Sequence, residues 1–142
     1  MSPLLNLISM EDTPKLVYVV DDDEIFHFII KKMMGQQFGQ VSVTSFLSAE
    51  DALETLTAPV ASDSLPSLII LDMNMQRMSG WDFLDAYRDI KTSIPKHIPI
   101  VMCSSSIDLR DMQKVQTIPE LTAYITKPLD KSKLKVLEDY LC

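Results

Sequence analysis

The chain has 142 residues, of which 46% are hydrophobic and 23% charged, a length and composition that suit one globular domain. Its formal net charge of −7 argues against a general nucleic-acid-binding protein and against attachment to anionic membranes. Two cysteines predict neither a metal centre nor a disulfide framework, and no stretch resembles a membrane span or a signal peptide. We therefore expect a cytoplasmic protein with a loosely ordered extension over residues 1–14 and one folded domain over residues 15–142.

Strand and helix patterns alternate through the rest of the chain. Short apolar or β-branched runs predict five strands, at about 15–20, 41–45, 67–71, 99–103 and 122–126. Helix-length segments separate the strands, and this alternation is typical of an α/β fold with a parallel sheet. Each helix is expected to begin at or directly after one of five residues: Asp23, Ser48, Gly80, Asp108 and Asp130.

The first predicted helix contains an apolar face and one histidine. Ile25, Phe28, Ile29 and Met33 have the spacing of one apolar helix face, which we expect to be buried. His27 lies in the same helix without a partner at metal-ligand spacing. We expect this imidazole to be structural or exposed, and not to carry a phosphoryl group.

Polar residues follow four of the predicted strands directly. An acidic triplet, 21–23, follows the first strand, and Asp72 follows the third. Ser104 comes after the fourth strand and Lys127 after the fifth. Because the carboxyl ends of parallel strands border one crevice, we expect these side chains to converge. Carboxylates, a hydroxyl and an ammonium group together could hold a divalent cation and a phosphoryl group.

Four segments make the chain resemble the receiver domain of two-component response regulators. They are VVDDDEI (19–25), IILDMNMQRMSG (69–80), PIVMCSSSID (99–108) and YITKPL (124–129). The resemblance implies a flavodoxin-like (βα)5 three-layer sandwich with parallel sheet order 2-1-3-4-5. It also implies a stand-alone, single-domain response regulator in a phosphorelay, which catalyses only its own phosphorylation and dephosphorylation and is not otherwise an enzyme.

The resemblance implies a chemical role for each residue of the crevice. Asp72 would be the phosphoacceptor, a carboxylate nucleophile that forms an acyl phosphate. Ser104 and Lys127 would contact the phosphoryl oxygens. The implied cofactor is Mg²⁺, held by Asp22, Asp72 and the backbone carbonyl of Asn74, with Asp21 acting through water.

The resemblance also implies a residue that changes position on phosphorylation and several features of the loops around the site. Tyr124 would be the aromatic switch residue, moving inward when Ser104 moves towards the phosphate. The Lys127–Pro128 peptide bond is expected to be cis, and Gly80 is retained as a structural glycine. The chain departs from the family at Gln76, where Pro is frequent, and at Ser79, where Asp is frequent.

The resemblance implies protein partners. A histidine kinase or histidine phosphotransfer protein would supply the phosphoryl group to a monomer or weak homodimer. The output protein is unknown, and it would contact the face of helix four, strand five and helix five. Nucleic acid and membrane are not expected partners.

Two other functions fit parts of the pattern. A small phosphatase of the haloacid dehalogenase type would use Asp21 as nucleophile in an Asp-x-Asp motif, but it would leave Asp72 without a role. A flavodoxin-like binding module that is not phosphorylated would show no dependence on Mg²⁺.

Overall fold

Five parallel strands form a single sheet in the order β2-β1-β3-β4-β5, which confirms the predicted fold class. The computed structural model describes residues 15–58, 64–105 and 108–141. The predicted extension, residues 1–14, and Cys142 lie outside the described residues. The strand bounds, each within about two residues of the prediction, are β1 (Lys15–Val20), β2 (Val41–Phe46), β3 (Leu68–Leu71), β4 (Ile100–Ser104) and β5 (Leu121–Thr126).

Helices connect the strands and cover both faces of the sheet. Their bounds are α1 (Glu24–Phe38), α2 (Ala49–Thr57), α3 (Gly80–Ile90), α4 (Leu109–Gln116), α5 (Lys131–Leu134) and α6 (Glu138–Leu141). The single terminal helix expected after Asp130 is instead divided, because a 3-10 turn, Lys135–Leu137, separates α5 from α6. Among the described helices, none is long and apolar enough to cross a membrane.

The core consists of two clusters, one on each face of the sheet. The residues of β3 alternate between them: Leu68 and Ile70 pack with α1, α5 and α6, while Ile69 and Leu71 pack with α2 and α3. All four are buried. A strand covered on both faces needs a continuous apolar run, which explains why β3 shows no polar alternation.

The buried face of α1 is not the one predicted. Ile25 and Phe28 are each 70% exposed, whereas Phe26, Ile30 and Met34 pack against the sheet. The segment is apolar on both sides, so helical spacing alone fits either face. Contact with β1 and β3 selects the face one residue further along. The predicted face is therefore wrong for Ile25, Phe28 and Ile29, whereas Met33 is partly buried and packs against the core cluster.

Helix starts follow from local hydrogen bonds. Side chains cap the first helical turns at four predicted positions: Asp23, Ser48, Asp108 and Asp130. Ser79, where the chain departs from the family, caps α3, and its hydroxyl accepts a hydrogen bond from Asp82 N while the Asp82 carboxylate accepts one from Ser79 N. This reciprocal capping box fixes the end of the loop that follows Asp72.

Candidate functional site

The polar residues that follow the strands meet at the carboxyl end of the sheet. Backbone hydrogen bonds continue the strand pairing one residue past the strands: Asp72 N donates to Val20 O at 2.9 Å, and Lys127 N donates to Ser104 O at 2.8 Å. Asp21 N likewise donates to Phe46 O at 3.0 Å. The sheet itself therefore holds Asp21, Asp72 and Lys127 in fixed relative positions.

Three carboxylates form the centre of the site. Asp21, Asp22 and Asp72 each offer one oxygen, and these three atoms lie within 4.8 Å of one another. Asp21 and Asp72 are buried, while Asp22 is exposed and accepts a hydrogen bond from Gln76 N at 3.2 Å. Closely spaced carboxylate oxygens repel each other without a cation, and they are the ligands that Mg²⁺ prefers. The donor set therefore fits a divalent ion.

The ammonium group of Lys127 lies beside this cluster. Its Nζ donates to Asp21 Oδ2 at 2.7 Å and lies 3.8 Å from Asp72 Oδ1. Burial by itself would lower the pKa of Lys127, but the hydrogen bond to Asp21 and the charges of both carboxylates raise it above its usual value. The lysine is thus firmly cationic, and in this arrangement it is paired with Asp21 more closely than with Asp72.

Burial and neighbouring negative charges raise the pKa of Asp72. Desolvation comes first and the charge of Asp21 second, and together they raise the pKa of Asp72 from 3.8 to about 6. The charge of Lys127 and a hydrogen bond from the backbone of Asn74 act in the opposite direction. Asp72 is therefore ionised at neutral pH at a cost in stability that a bound cation would offset.

This pKa predicts how stability changes with pH. Because the folded state holds the Asp72 proton more tightly than the unfolded chain, the free energy of unfolding should fall as pH rises from about 4 to about 6. A pKa difference of that size corresponds to about 3 kcal/mol. Urea unfolding without divalent cations, at several pH values between 4 and 7.5, should show this loss in the wild type and not in Asp72→Asn. Parallel pH profiles for the two proteins would contradict it.

Ser104 and Tyr124 adjoin the site from β4 and β5. Ser104 is the last residue of β4 and is 1% exposed. Tyr124 is half-buried and its hydroxyl oxygen is fully buried. Desolvation and the neighbouring Cys103 raise the pKa of Tyr124, and the Ser104 side chain acts in the opposite direction, so the two hydroxyls are neighbours. Tyr124 is predicted to move inward on phosphorylation, but its hydroxyl is already buried before that step.

Close packing holds the loop after Asp72. Gly80 N donates to Met73 O at 2.9 Å, and a Cβ atom at Gly80 would collide with the backbone carbonyl oxygen of Asp72. Only glycine permits so close an approach of α3 to this loop. Asn74 is exposed within the same loop, and the Lys127–Pro128 peptide bond on the other side of the site is cis.

Two site residues in α1 were not predicted. His27 is buried, and its Nε2 donates to the backbone carbonyl of Asp21 at 2.7 Å. The Phe26 ring centroid lies 4.2 Å from Lys127 Nζ. The only sequence signal was their position within the first two turns of the helix that follows the acidic triplet. Apolar spacing could not reveal either contact, because each partner lies outside the helix.

Comparison with known proteins identifies the family of the chain. The family model of the response regulator receiver domain matches residues 17–137. The chain belongs to the response regulator receiver domain family. This membership confirms the resemblance found in the sequence and does not favour the phosphatase hypothesis.

Individual relatives agree with the assignment to receiver domains. An uncharacterized response regulatory protein of Staphylococcus epidermidis is 28% identical over 125 residues, which are 88% of this chain and 45% of that protein. A sensor histidine kinase of Helicobacter pylori is 30% identical over 114 residues, 80% of this chain but 13% of the kinase. The chain therefore spans less than half the length of either curated relative.

A solved structure supports the receiver fold. A two-component response regulator from Cytophaga hutchinsonii superposes with a TM-score of 0.77 at 26% identity, covering 89% of this chain and 96% of that one. The chain is accordingly a receiver domain of two-component signalling, with the flavodoxin-like sheet order expected from its sequence.

Proposed function

We propose that this receiver domain accepts a phosphoryl group on Asp72 from a phosphohistidine of a histidine kinase or histidine phosphotransfer protein. The observation that carries the proposal is the position of Asp72 within 3.8 Å of the Lys127 ammonium and inside a cluster of three carboxylates. In the step, an Asp72 oxygen forms a bond to phosphorus, and the bond from phosphorus to the donor nitrogen breaks, leaving its electron pair on the imidazole.

The surrounding residues have separate roles in this transfer. Asp22, Asp72 and the backbone carbonyl of Asn74 would hold Mg²⁺ directly, and Asp21 would hold it through water. When bound, the ion offsets the negative charge of the carboxylates and of the phosphoryl oxygens. Lys127 moves its ammonium from Asp21 towards the phosphoryl group, and the Ser104 hydroxyl donates to another phosphoryl oxygen.

The geometry disfavours Asp21 as the nucleophile of a phosphatase. Asp21 is 1% exposed, its Oδ1 accepts from Asp23 N at 2.9 Å, and its Oδ2 accepts from Lys127. A carboxylate whose two oxygens are both hydrogen-bonded in a buried position is poorly placed to attack phosphorus. The contact of Asp72 with the Lys127 ammonium group is longer, at 3.8 Å.

The test is reaction of the purified chain with acetyl phosphate, with and without Mg²⁺, followed by mass mapping of the acyl phosphate. We expect labelling at Asp72 that requires Mg²⁺. Labelling at Asp21 would support the phosphatase hypothesis, and absence of labelling would support a binding module that is not phosphorylated.

Asp22→Asn should weaken Mg²⁺ binding and raise stability without the ion. Removing one of three clustered negative charges eliminates a ligand and also relieves repulsion of roughly 1–4 kcal/mol per close pair. Because Asp22 is exposed, solvent screening should place the gain in stability near the lower figure. Thermal melts across a Mg²⁺ titration measure both effects. An unchanged metal-dependent rise in Tm would exclude Asp22 as a ligand.

Phosphorylation of Asp72 should change the surroundings of Tyr124. The new phosphoryl oxygens attract the Ser104 hydroxyl, which withdraws it from the buried Tyr124 hydroxyl. Because that hydroxyl is already buried, we expect its contacts to change more than its exposure. NMR spectra with and without beryllium fluoride should show shifts at Tyr124 and α4. Shifts confined to the loops after β1 and β3 would contradict this switch.

A further inference from the structure

The ring of Phe26 lies against the ammonium group of Lys127. Phe26 is the third residue of α1 and is 7% exposed. Its ring centroid is 4.2 Å from Lys127 Nζ, well within the range of a cation–π interaction. The Lys127 side chain is only 18% exposed, so little water competes with the ring for the ammonium group.

We propose that Phe26 is a positioning residue that keeps the Lys127 ammonium within reach of both Asp21 and the phosphoryl group on Asp72. This proposal rests on the proposed phosphorylation of Asp72. It assigns to Phe26 a role in the reaction in addition to its place in the core cluster of α1, α5 and α6.

Phe26 can hold the ammonium group during the exchange because an aromatic face attracts a cation less directionally than a hydrogen bond does. The hydrogen bond to Asp21 is directional, and its 2.7 Å length holds the ammonium group 3.8 Å from Asp72. The quadrupole of a ring attracts a cation over a broad area and accepts no proton. The ammonium group can therefore exchange Asp21 for a phosphoryl oxygen while it remains over the ring.

An aliphatic side chain at the same position would fill the core but would not offer this attraction. The lysine would then be held at short range by Asp21 alone, and leaving Asp21 would weaken the pairing of its charge in a mostly buried position. We expect a ring with a weaker quadrupole to slow phosphorylation by about threefold to tenfold. This is the change in rate that corresponds to losing a cation–π contact of ordinary strength.

The test uses the full chain with phenylalanines of increasing fluorination incorporated at position 26. Fluorination weakens the ring quadrupole in steps with little change in shape. The rate of reaction with acetyl phosphate at saturating Mg²⁺, measured well below Tm, should fall stepwise, whereas the Mg²⁺ dissociation constant should stay constant. A rate that does not change with fluorination would overturn the proposal.

Phe28 provides the matched control. It lies in the same helix, but it is 70% exposed and outside the two core clusters. The same fluorinated residues at position 28 should leave the rate unchanged. An equal fall at both positions would show a general effect of fluorination and would also overturn the role of Phe26.

A second measurement separates this inference from the proposed function. A ring face beside Nζ should shift the Lys127 ε-methylene proton signals upfield by ring current, and Phe26→Leu should abolish that shift. The NMR result does not depend on phosphorylation. If the wild type is not labelled at Asp72, the proposed function fails, and the absence of a ring-current shift independently refutes the contact itself.

Discussion

Replacing Asp72 with Asn should reduce phosphorylation by acetyl phosphate to background while the fold remains intact. Asn has nearly the same shape, but its amide is not a nucleophile towards phosphorus. Asp72 is buried, and it is the one carboxylate of the cluster that directly follows β3. Mass spectrometry of the intact protein measures the loss, and circular dichroism verifies the fold.

Asp23→Asn is the matched control for the loss of one carboxylate. Asp23 is exposed, caps α1 through Ile25 N at 3.0 Å and lies outside the three-carboxylate cluster. Because Asn is also a good capping residue, this variant should keep both its stability and its labelling. Continued phosphorylation of Asp72→Asn, or its equal loss in Asp23→Asn, would refute Asp72 as the acceptor.

Gly80→Ala should cause the largest loss of stability among single substitutions near the site. The added Cβ would collide with the carbonyl oxygen of Asp72 and lie 3.0 Å from Met73 Cα. Both are backbone atoms in the loop after β3, so relief requires α3 and the loop to separate. We expect the free energy of unfolding to fall by about 2–3 kcal/mol, as in other overpacked sites. The phosphorylation rate should fall as well, because the collision displaces Asp72 itself.

Gly35→Ala is the control for that substitution. Gly35 is exposed within α1, and a Cβ there would meet no atom within 4 Å. Alanine should therefore stabilise the helix by up to about 1 kcal/mol. Urea unfolding of the two variants should give changes of opposite sign. A Gly80→Ala protein as stable as the wild type would contradict the close approach seen between α3 and the loop.

Local patterns account for what could be predicted of this receiver domain. Apolar runs separated by helix-length segments predict five parallel strands, because a parallel pair needs a long crossover connection. Caps such as Asp23 and Asp108 act within three residues of their own position, so they too can be predicted locally. The resemblance to the family adds the sheet order and the chemical roles of the residues that should meet.

The sequence alone could not show which side of α1 is buried. Ile25 and Ile29 have the same helical spacing as Phe26 and Ile30, and spacing determines the period of a helix but not which side meets the sheet. The sheet buries Phe26 and leaves Phe28 exposed. That choice also places Phe26 beside Lys127 and His27 beside the carbonyl of Asp21.

The electrostatics of the site likewise depend on contacts between residues that are far apart in sequence. The positions of Asp21, Asp72 and Lys127 directly after predicted strands indicate that the three residues meet. They do not indicate that Lys127 pairs with Asp21, 106 positions away in sequence, more closely than with Asp72. The pKa of Asp72 rises to about 6 because of its burial and its acidic neighbours, and both are properties of the folded chain. The strands and the polar residues that follow them could therefore be predicted from local patterns. The pairings and the protonation of those residues depend on distances between positions that are far apart in the chain, and these distances exist only in the folded protein.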